Sequence, residues 1–482
     1  MSTAPGGHAR RRRRPVGQRR ARLMLPIGAL LVVVVVIASG IGGSLPRPPR
    51  PGQAPGAGAG DPFAYVPGRE ADFVERAVAG EAHPLFVKSP GGALATAARV
   101  AALRPMIERA TAGSGIDPNL LEALVFVESA GRPEIIAGSD PADAAGLTQI
   151  LAQTGQSLLG MHIDLKQSRR LTAAIDAVAA GTRSGLLAPL LARRAAIDDR
   201  FNPAKELAAT VRYLQLAEHQ FGRQDLAIES YHMGIGNLHQ VLADYDSGRA
   251  VPYAQLYFDT APDRHGAAYA LLSGFGDDSS LYYWRVLGAA AIMRLYRADR
   301  SALARLDSLQ SASDSNAEVL HPPDRTQTFS DPGALAAAYQ SHTLVPLPSN
   351  AAQLGLEFDP TLGSQARSVG ATAALYRGLR PVALRLLIAL AARVRSLSGG
   401  AEPLRIYSAV SDQRYQRLVG GDFTAATNGY SFQISRRYWS RAQADALQAM
   451  LDRLQALNLI AWAREPTVID VTVASDASSW VR

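Results

Sequence analysis

A run of nineteen residues, Leu23 to Ile41, carries no charged side chain and follows directly on eight arginines between Arg10 and Arg22. Nothing else in the chain limits its folding as much. As a helix the run would span roughly 28 Å at about 1.5 Å per residue, close to the thickness of a hydrocarbon core. Arginines on its N-terminal flank hold residues 1–22 in the cytoplasm and send the remainder outside. The length of the run, and the poor small-residue cleavage site at Ala38-Ser39-Gly40, favour an uncleaved signal anchor over a cleaved signal peptide. The expected location is the cell membrane, in a single pass, with the N-terminus cytoplasmic and the folded part extracytoplasmic.

This tail also explains the charge. The net charge is +8, yet residues 1–50 hold ten arginines and no acid, which leaves 40 basic against 42 acidic residues beyond them. Nucleic-acid binding therefore drops out. The absence of cysteine excludes disulfides, thiol nucleophiles and Cys-ligated zinc. At 482 residues the chain is long enough for two or three domains. Residues 42–65, rich in Pro and Gly, read as a linker, and a polar break at 311–331 contains Pro322-Pro323. The expected organisation is a cytoplasmic tail (1–22), an anchor (23–41), the first linker, a folded region at 66–310, the second linker, and a second folded region at 332–482. The fold class is a multidomain chain: a transmembrane helix, a mainly α domain, then a smaller α+β domain.

Between residues 93 and 300 apolar side chains recur at spacings of three and four, broken at Gly and Pro, which predicts mostly helix. One helix carries both of its boundaries in the sequence. Asp117 suits the N-cap, Pro118 the first helical position, and Gly131 a left-handed C-terminal cap. Leu120, Leu121, Leu124, Val125 and Val127 form its core stripe, and Glu128 falls in its last turn. A carboxyl there meets the negative end of the helix dipole among apolar walls. Both effects raise its pKa, and a carboxyl kept neutral near pH 7 is a general acid. A surface glutamate at a helix end is the alternative reading of the same residue.

Further segments follow in order: Ala145-Gly146-Leu147-Thr148-Gln149-Ile150, a helix opened by Asn202-Pro203 that runs to Tyr213-Leu214, and Ser230-Tyr231-His232-Met233-Gly234-Ile235-Gly236. Tyr282-Tyr283-Trp284-Arg285-Val286 closes the series. With Glu128-Ser129, this order and spacing resembles the lysozyme-like domain of soluble lytic transglycosylases, relatives of goose-type lysozyme, over about residues 100–296. The resemblance implies cleavage of the MurNAc–GlcNAc β-1,4 bond of peptidoglycan with 1,6-anhydroMurNAc formation, Glu128 acting as acid and then as base. One carboxyl suffices where the substrate's N-acetyl group stabilises the charge at C1. It further implies substrate contacts from Ser129, Gly146, Thr148, Gln149, Tyr213, Tyr231, His232, Gly234 and Tyr283, with Gly236 also allowing close approach of the glycan. No cofactor and no metal is implied. The partners are peptidoglycan glycan strands and the membrane, with room for a protein of the cell-wall, division or sporulation machinery.

The chain departs from the family pattern at Thr148 for Met, His232 for Asn and Met233 for Ala. His232 either replaces the Asn hydrogen bond, alters the pH profile, or simply fills the position. The stretch from Gln149 to Asn202 is long and contains a helical segment, Leu171 to Ala196, interrupted at Gly181 and Gly185. Residues 246–281 form a second insertion with Tyr253, Tyr257 and Phe258, which could wall a cleft, dock a partner or be inert. Asp140 and Asp143 could hold a water, as acidic residues do in goose-type lysozymes, or be turn residues beside Pro141. A hydrolytic muramidase and a non-catalytic wall-binding or assembly protein are the alternative functions.

Beyond residue 403 the period changes. Leu404–Ala409, Tyr430–Ile434, Leu459–Ala463 and Val468–Val473 read as strands. A helix from Ser440 to Leu457 puts Ala446, Leu447, Met450, Leu451 and Leu454 on one face. Ser408 to Ser411, Gly429 to Ile434, Trp462 and Ile469-Asp470-Val471 resemble zinc D-Ala-D-Ala carboxypeptidases. Their metal ligands are replaced by Ala426, Gln433 and Asp470, and no histidine lies beyond His342. The resemblance thus implies a peptidase-like domain without its zinc site.

Overall fold

The computed structural model describes residues 61–481 apart from 182–183, 277, 313–314 and 420–423. The arginine-rich tail, the apolar run Leu23–Ile41 and most of the first linker lie outside the described residues. Among the described residues no helix is long and apolar enough to cross a membrane.

The helix that carries Glu128 runs over Pro118–Ser129. The Asp117 carboxylate accepts the Asn119 N–H and Pro118 occupies the first turn, as the sequence signals require. Nine of its twelve residues are buried, so it is a core helix rather than an amphipathic surface one. Val127 is only half-buried. The left-handed exit begins one residue before Gly131: Ala130 adopts φ 55° and Gly131 φ 75°. Around this helix lie Ala93–Ala102, Arg104–Thr111, Pro203–Phe221 and Tyr282–Ala298, the last packed along much of its length. The interruption expected at Gly181 and Gly185 falls between two helices, Leu165–Ala179 and Leu187–Ile197, which pack as a hairpin.

The C-terminal region forms two sheets. β1 (Val345–Pro346) pairs with β3 (Gly378–Leu379). The larger sheet has the order β2-β4-β5-β7-β6, built from β2 (Leu356–Phe358), β4 (Leu404–Ser408), β5 (Ser431–Ser435), β6 (Ile460–Arg464) and β7 (Val468–Val473). β2 is parallel to β4, and the other neighbours are antiparallel. Two helices, Pro381–Ser398 and Arg441–Ala456, supply the apolar partner for this sheet, and the predicted stripe from Ala446 to Leu454 is buried throughout. Ser440 caps the second helix by accepting the Gln443 N–H.

Both expected linkers contain ordered, buried residues. Phe63 is fully buried and Tyr65 lies against Phe73 at 5.3 Å, so folded structure starts before residue 66. In the second, His321 bonds the Val473 carbonyl and stacks on Tyr430 at 3.9 Å, while Phe329 is buried. This stretch lies on the sheet and is not a spacer.

The helical and C-terminal regions share one apolar core. Phe73 meets Phe258 at 5.1 Å and Trp480 at 5.0 Å. The Arg453 guanidinium donates to the carbonyls of Phe258 and Thr260, and Arg393 grips Asp263 at 2.9 Å. The 246–281 insertion therefore docks the C-terminal region of its own chain.

Candidate active site

Glu128 lies one residue before the end of its helix and is 7% exposed. Its hydrogen-bond partner among the described residues is Tyr282, whose phenol donates to Oε1 at 2.5 Å. Burial pushes the Glu128 carboxyl up to about 8, and the Tyr282 bond pulls the other way. A carboxyl so placed holds a proton at neutral pH yet keeps a donor ready for its anion.

Behind Tyr282 stands a column of rings. His232 stacks on it at 5.1 Å and Tyr231 at 6.3 Å, and Tyr213 meets Tyr231 edge-on at 5.0 Å. Tyr231 donates to the Thr148 carbonyl at 2.8 Å, Tyr213 donates to the Ser230 carbonyl at 2.6 Å, and His232 Nδ1 bonds Ser279 Oγ at 2.8 Å. Each ring is fixed at its polar edge, so the phenol facing Glu128 has little rotational freedom.

The second wall is a tight turn closed by backbone bonds between Ala145 and Ile150. Gly146 has φ 91° and Gln149 φ 53°. A Cβ on Gly146 would stand 2.4 Å from both Glu206 carboxylate oxygens and 2.1 Å from the Arg200 carbonyl, so only glycine fits. Glu206 accepts the Leu147 N–H at 2.6 Å, the Thr148 N–H at 2.9 Å and the Thr148 hydroxyl at 3.1 Å. Burial pushes Glu206 up to about 8 against these bonds. Gln149 Nε2 donates to the carbonyls of Gly146 at 2.8 Å and Ile135 at 3.3 Å. Below the turn, Arg200 and Asp198 form a fully buried pair at 2.7 Å, and Arg200 also donates to the carbonyls of Pro141, Asp143 and Ile150.

Several expected contacts change role. Thr148 is fully buried, with its hydroxyl on Glu206 and Thr210, so it anchors the turn from inside. Tyr213 is a support beneath Tyr231. Tyr283 turns its ring to Tyr253 at 5.8 Å and Trp284 at 4.9 Å; its neighbour Tyr282 is the tyrosine on Glu128. Ser129 is buried, bonding the Val125 carbonyl at 3.3 Å and accepting the Arg132 N–H at 3.3 Å, with no bond to Glu128. Gly234, at φ 87°, breaks the chain between helices Gln224–Met233 and Ile235–Asp246, and Gly236 has open space beside it. Asp140 is held by Arg169 at 2.9 Å and by the Ala142 N–H, which keep it below the usual carboxylate range.

Tyr282, on Glu128, and Glu206, which holds the turn, are the residues of this site that the sequence reading did not single out. In the C-terminal region Gln433 Nε2 donates to Asp470 Oδ1 at 2.8 Å across the β5–β7 pair. Among the described residues no group of three His, Cys, Asp or Glu side chains could hold a metal ion.

A family model described as the transglycosylase SLT domain matches residues 105–193. No curated protein matches the chain. The matched segment takes in Glu128 and the Gly146–Gln149 turn, and it ends before Tyr213, Tyr231 and Tyr282. The match supports a lysozyme-like domain with lytic transglycosylase chemistry on peptidoglycan.

Proposed function

We propose that this chain is a membrane-anchored lytic transglycosylase that cuts the MurNAc–GlcNAc β-1,4 bond with Glu128 as its single acid and base. The observation that carries the reading is the Tyr282–Glu128 contact: a buried carboxyl inside the matched segment with one phenol as its partner. Burial favours the neutral form, which is the form needed to protonate O4 of the departing sugar as the C1–O4 bond breaks. The substrate's N-acetyl group takes up the charge at C1. Glu128, now a carboxylate steadied by the Tyr282 hydroxyl, accepts the proton of the C6 hydroxyl while O6 bonds to C1. The proton count is restored and no water enters the product. Asp140, engaged by Arg169, lends no support to a water-holding role of its own.

Anchoring at the membrane, with the folded part outside the cytoplasm, rests on the arginine-flanked run from Leu23 to Ile41. We read the C-terminal region as peptidase-like without peptidase chemistry on the sequence resemblance alone, with Ala426, Gln433 and Asp470 standing where it expects ligands.

The test is digestion of purified peptidoglycan by the full chain and by its Glu128→Gln variant, read by mass spectrometry. Anhydro-muropeptides are expected from the wild type, falling about 10³-fold or more in the variant. Reducing-end products would move the reaction to hydrolysis. Equal yields from both chains would remove Glu128 from the chemistry.

A further inference from the structure

Away from Glu128, the helical hairpin Leu165–Ala179 and Leu187–Ile197 closes over the loop that follows the Glu128 helix and leaves a cavity of about 330 Å³. The apolar part of its wall comes from Ile136, Ile175, Leu187 and Leu191. Within it lies Arg194, only 2% exposed.

The Arg194 guanidinium lies 3.6 Å from the centre of the Phe201 ring, which fixes its plane. Two of its nitrogens donate to neutral oxygens, Thr172 Oγ1 at 3.1 Å and the Glu134 carbonyl at 3.0 Å. The third, Nε, is buried with no hydrogen-bond partner. Burial draws the guanidinium down to about 10. The Asp198, Asp176 and Glu134 carboxylates favour its charged form from a distance, but none of them bonds it, and a buried donor left unused is costly. Glu134 and Asp176, both exposed residues, also line the cavity. A polyanion would be repelled there, whereas a ligand bearing both charges would meet each in turn.

We propose that this cavity binds a zwitterionic α-amino-acid end group, with its carboxylate on Arg194, its ammonium facing Glu134 and Asp176, and a short aliphatic stem against the apolar wall. Two sources share that chemistry: a free amino acid, and the diamino-acid side chain of a peptidoglycan stem peptide. The second rests on the function proposed above. The position of the loop supports it, because the loop serves both sites. Ile135 gives its carbonyl to Gln149 and to the Gly146 N–H, while Glu134 and Ile136 on either side line the cavity.

The experiment is calorimetric titration of the full chain with the tripeptide L-Ala-γ-D-Glu-meso-diaminopimelate, with free meso-diaminopimelate, and with acetate. Arg194→Gln is expected to weaken tripeptide binding about 10- to 100-fold, the range for a charged hydrogen-bonded contact. Asp176→Asn, at an exposed position where folding is not at risk, is expected to weaken it several-fold. Tripeptide affinity at least tenfold above that of the free diamino acid assigns the site to the stem; equal affinities assign it to free amino acids. No binding of either, acetate binding as tightly, or Asp176→Asn and a folded Arg194→Gln both binding normally would overturn the site. Glu128→Gln should bind the tripeptide normally. Loss of anhydro products and loss of peptide binding are therefore separate results.

Discussion

Glu128 and Glu206 sit at two walls of the same site, both are buried, and burial pushes both carboxyls up to about 8. Their surroundings differ in what is left to do. Glu206 accepts three bonds, two from backbone N–H groups of the Leu147–Thr148 turn and one from the Thr148 hydroxyl. Its oxygens are spent on holding that turn in shape. Glu128 accepts one bond, from Tyr282, and so has lone pairs available to a substrate. A raised pKa alone therefore does not separate a catalytic acid from a structural one; these two carboxyls differ in the bonding capacity left to them.

The comparison breaks most visibly if Glu206 is removed. Glu206→Ala would leave the Leu147 and Thr148 N–H groups buried without acceptors, at about 1–3 kcal/mol each. A loss of about 4 kcal/mol in urea unfolding is expected, with the activity falling as the turn loosens. A loss no larger than that of an exposed change such as Glu108→Ala would show that the turn holds itself.

A smaller effect tests the neutral state of Glu128 by pH. Glu128 has an ordinary value near 4.5 and a folded value of about 8. Below 4.5 both folded and unfolded chains hold its proton. Between the two values the folded chain binds more protons, so stability falls as pH rises through this window and the loss is complete above about 8. Glu128→Gln removes that loss. The variant should match the wild type near pH 4.5 and exceed it at pH 7 by on the order of 3 kcal/mol. A difference that stays flat from pH 4.5 to 8 would mean that Glu128 is not held neutral in the fold.

Local signals were legible in the sequence and long-range ones were not. Asp117-Pro118 and Ser440 marked helix starts because capping is decided by adjacent residues. The strands at 404–408, 431–435, 460–464 and 468–473 showed through because β-rich runs stand between turn residues. β2 spans three residues, too few for alternation to register, and its pairing with β4 joins positions far apart in sequence. At the site, Glu128 could be found from its place at a helix end. Glu206 could not, because as a first-turn acid after Asn202-Pro203 it reads as an ordinary dipole partner, and its use depends on a turn some sixty residues earlier. Tyr282 and Tyr283 differ by about 100° around one helix, and a motif match does not say which of them faces the carboxyl.

That last ambiguity gives the smallest effect and the most discriminating one. The Tyr282 hydroxyl donates to Glu128, which favours the carboxylate and holds the pKa below what burial alone would give. In Tyr282→Phe the pKa should rise, so the alkaline limb of the kcat/KM profile should move to higher pH. The carboxylate formed after the first proton transfer also loses its donor, and kcat should fall about tenfold, equivalent to about 1.4 kcal/mol. A tyrosine that merely packs would lower the rate without moving the limb. Tyr283→Phe, whose ring faces Tyr253 and Trp284, should leave the limb in place. A limb that moves with Tyr282 alone would tie the titrating acid to this one contact, which Glu206, with its oxygens committed to the turn, has no means of reproducing.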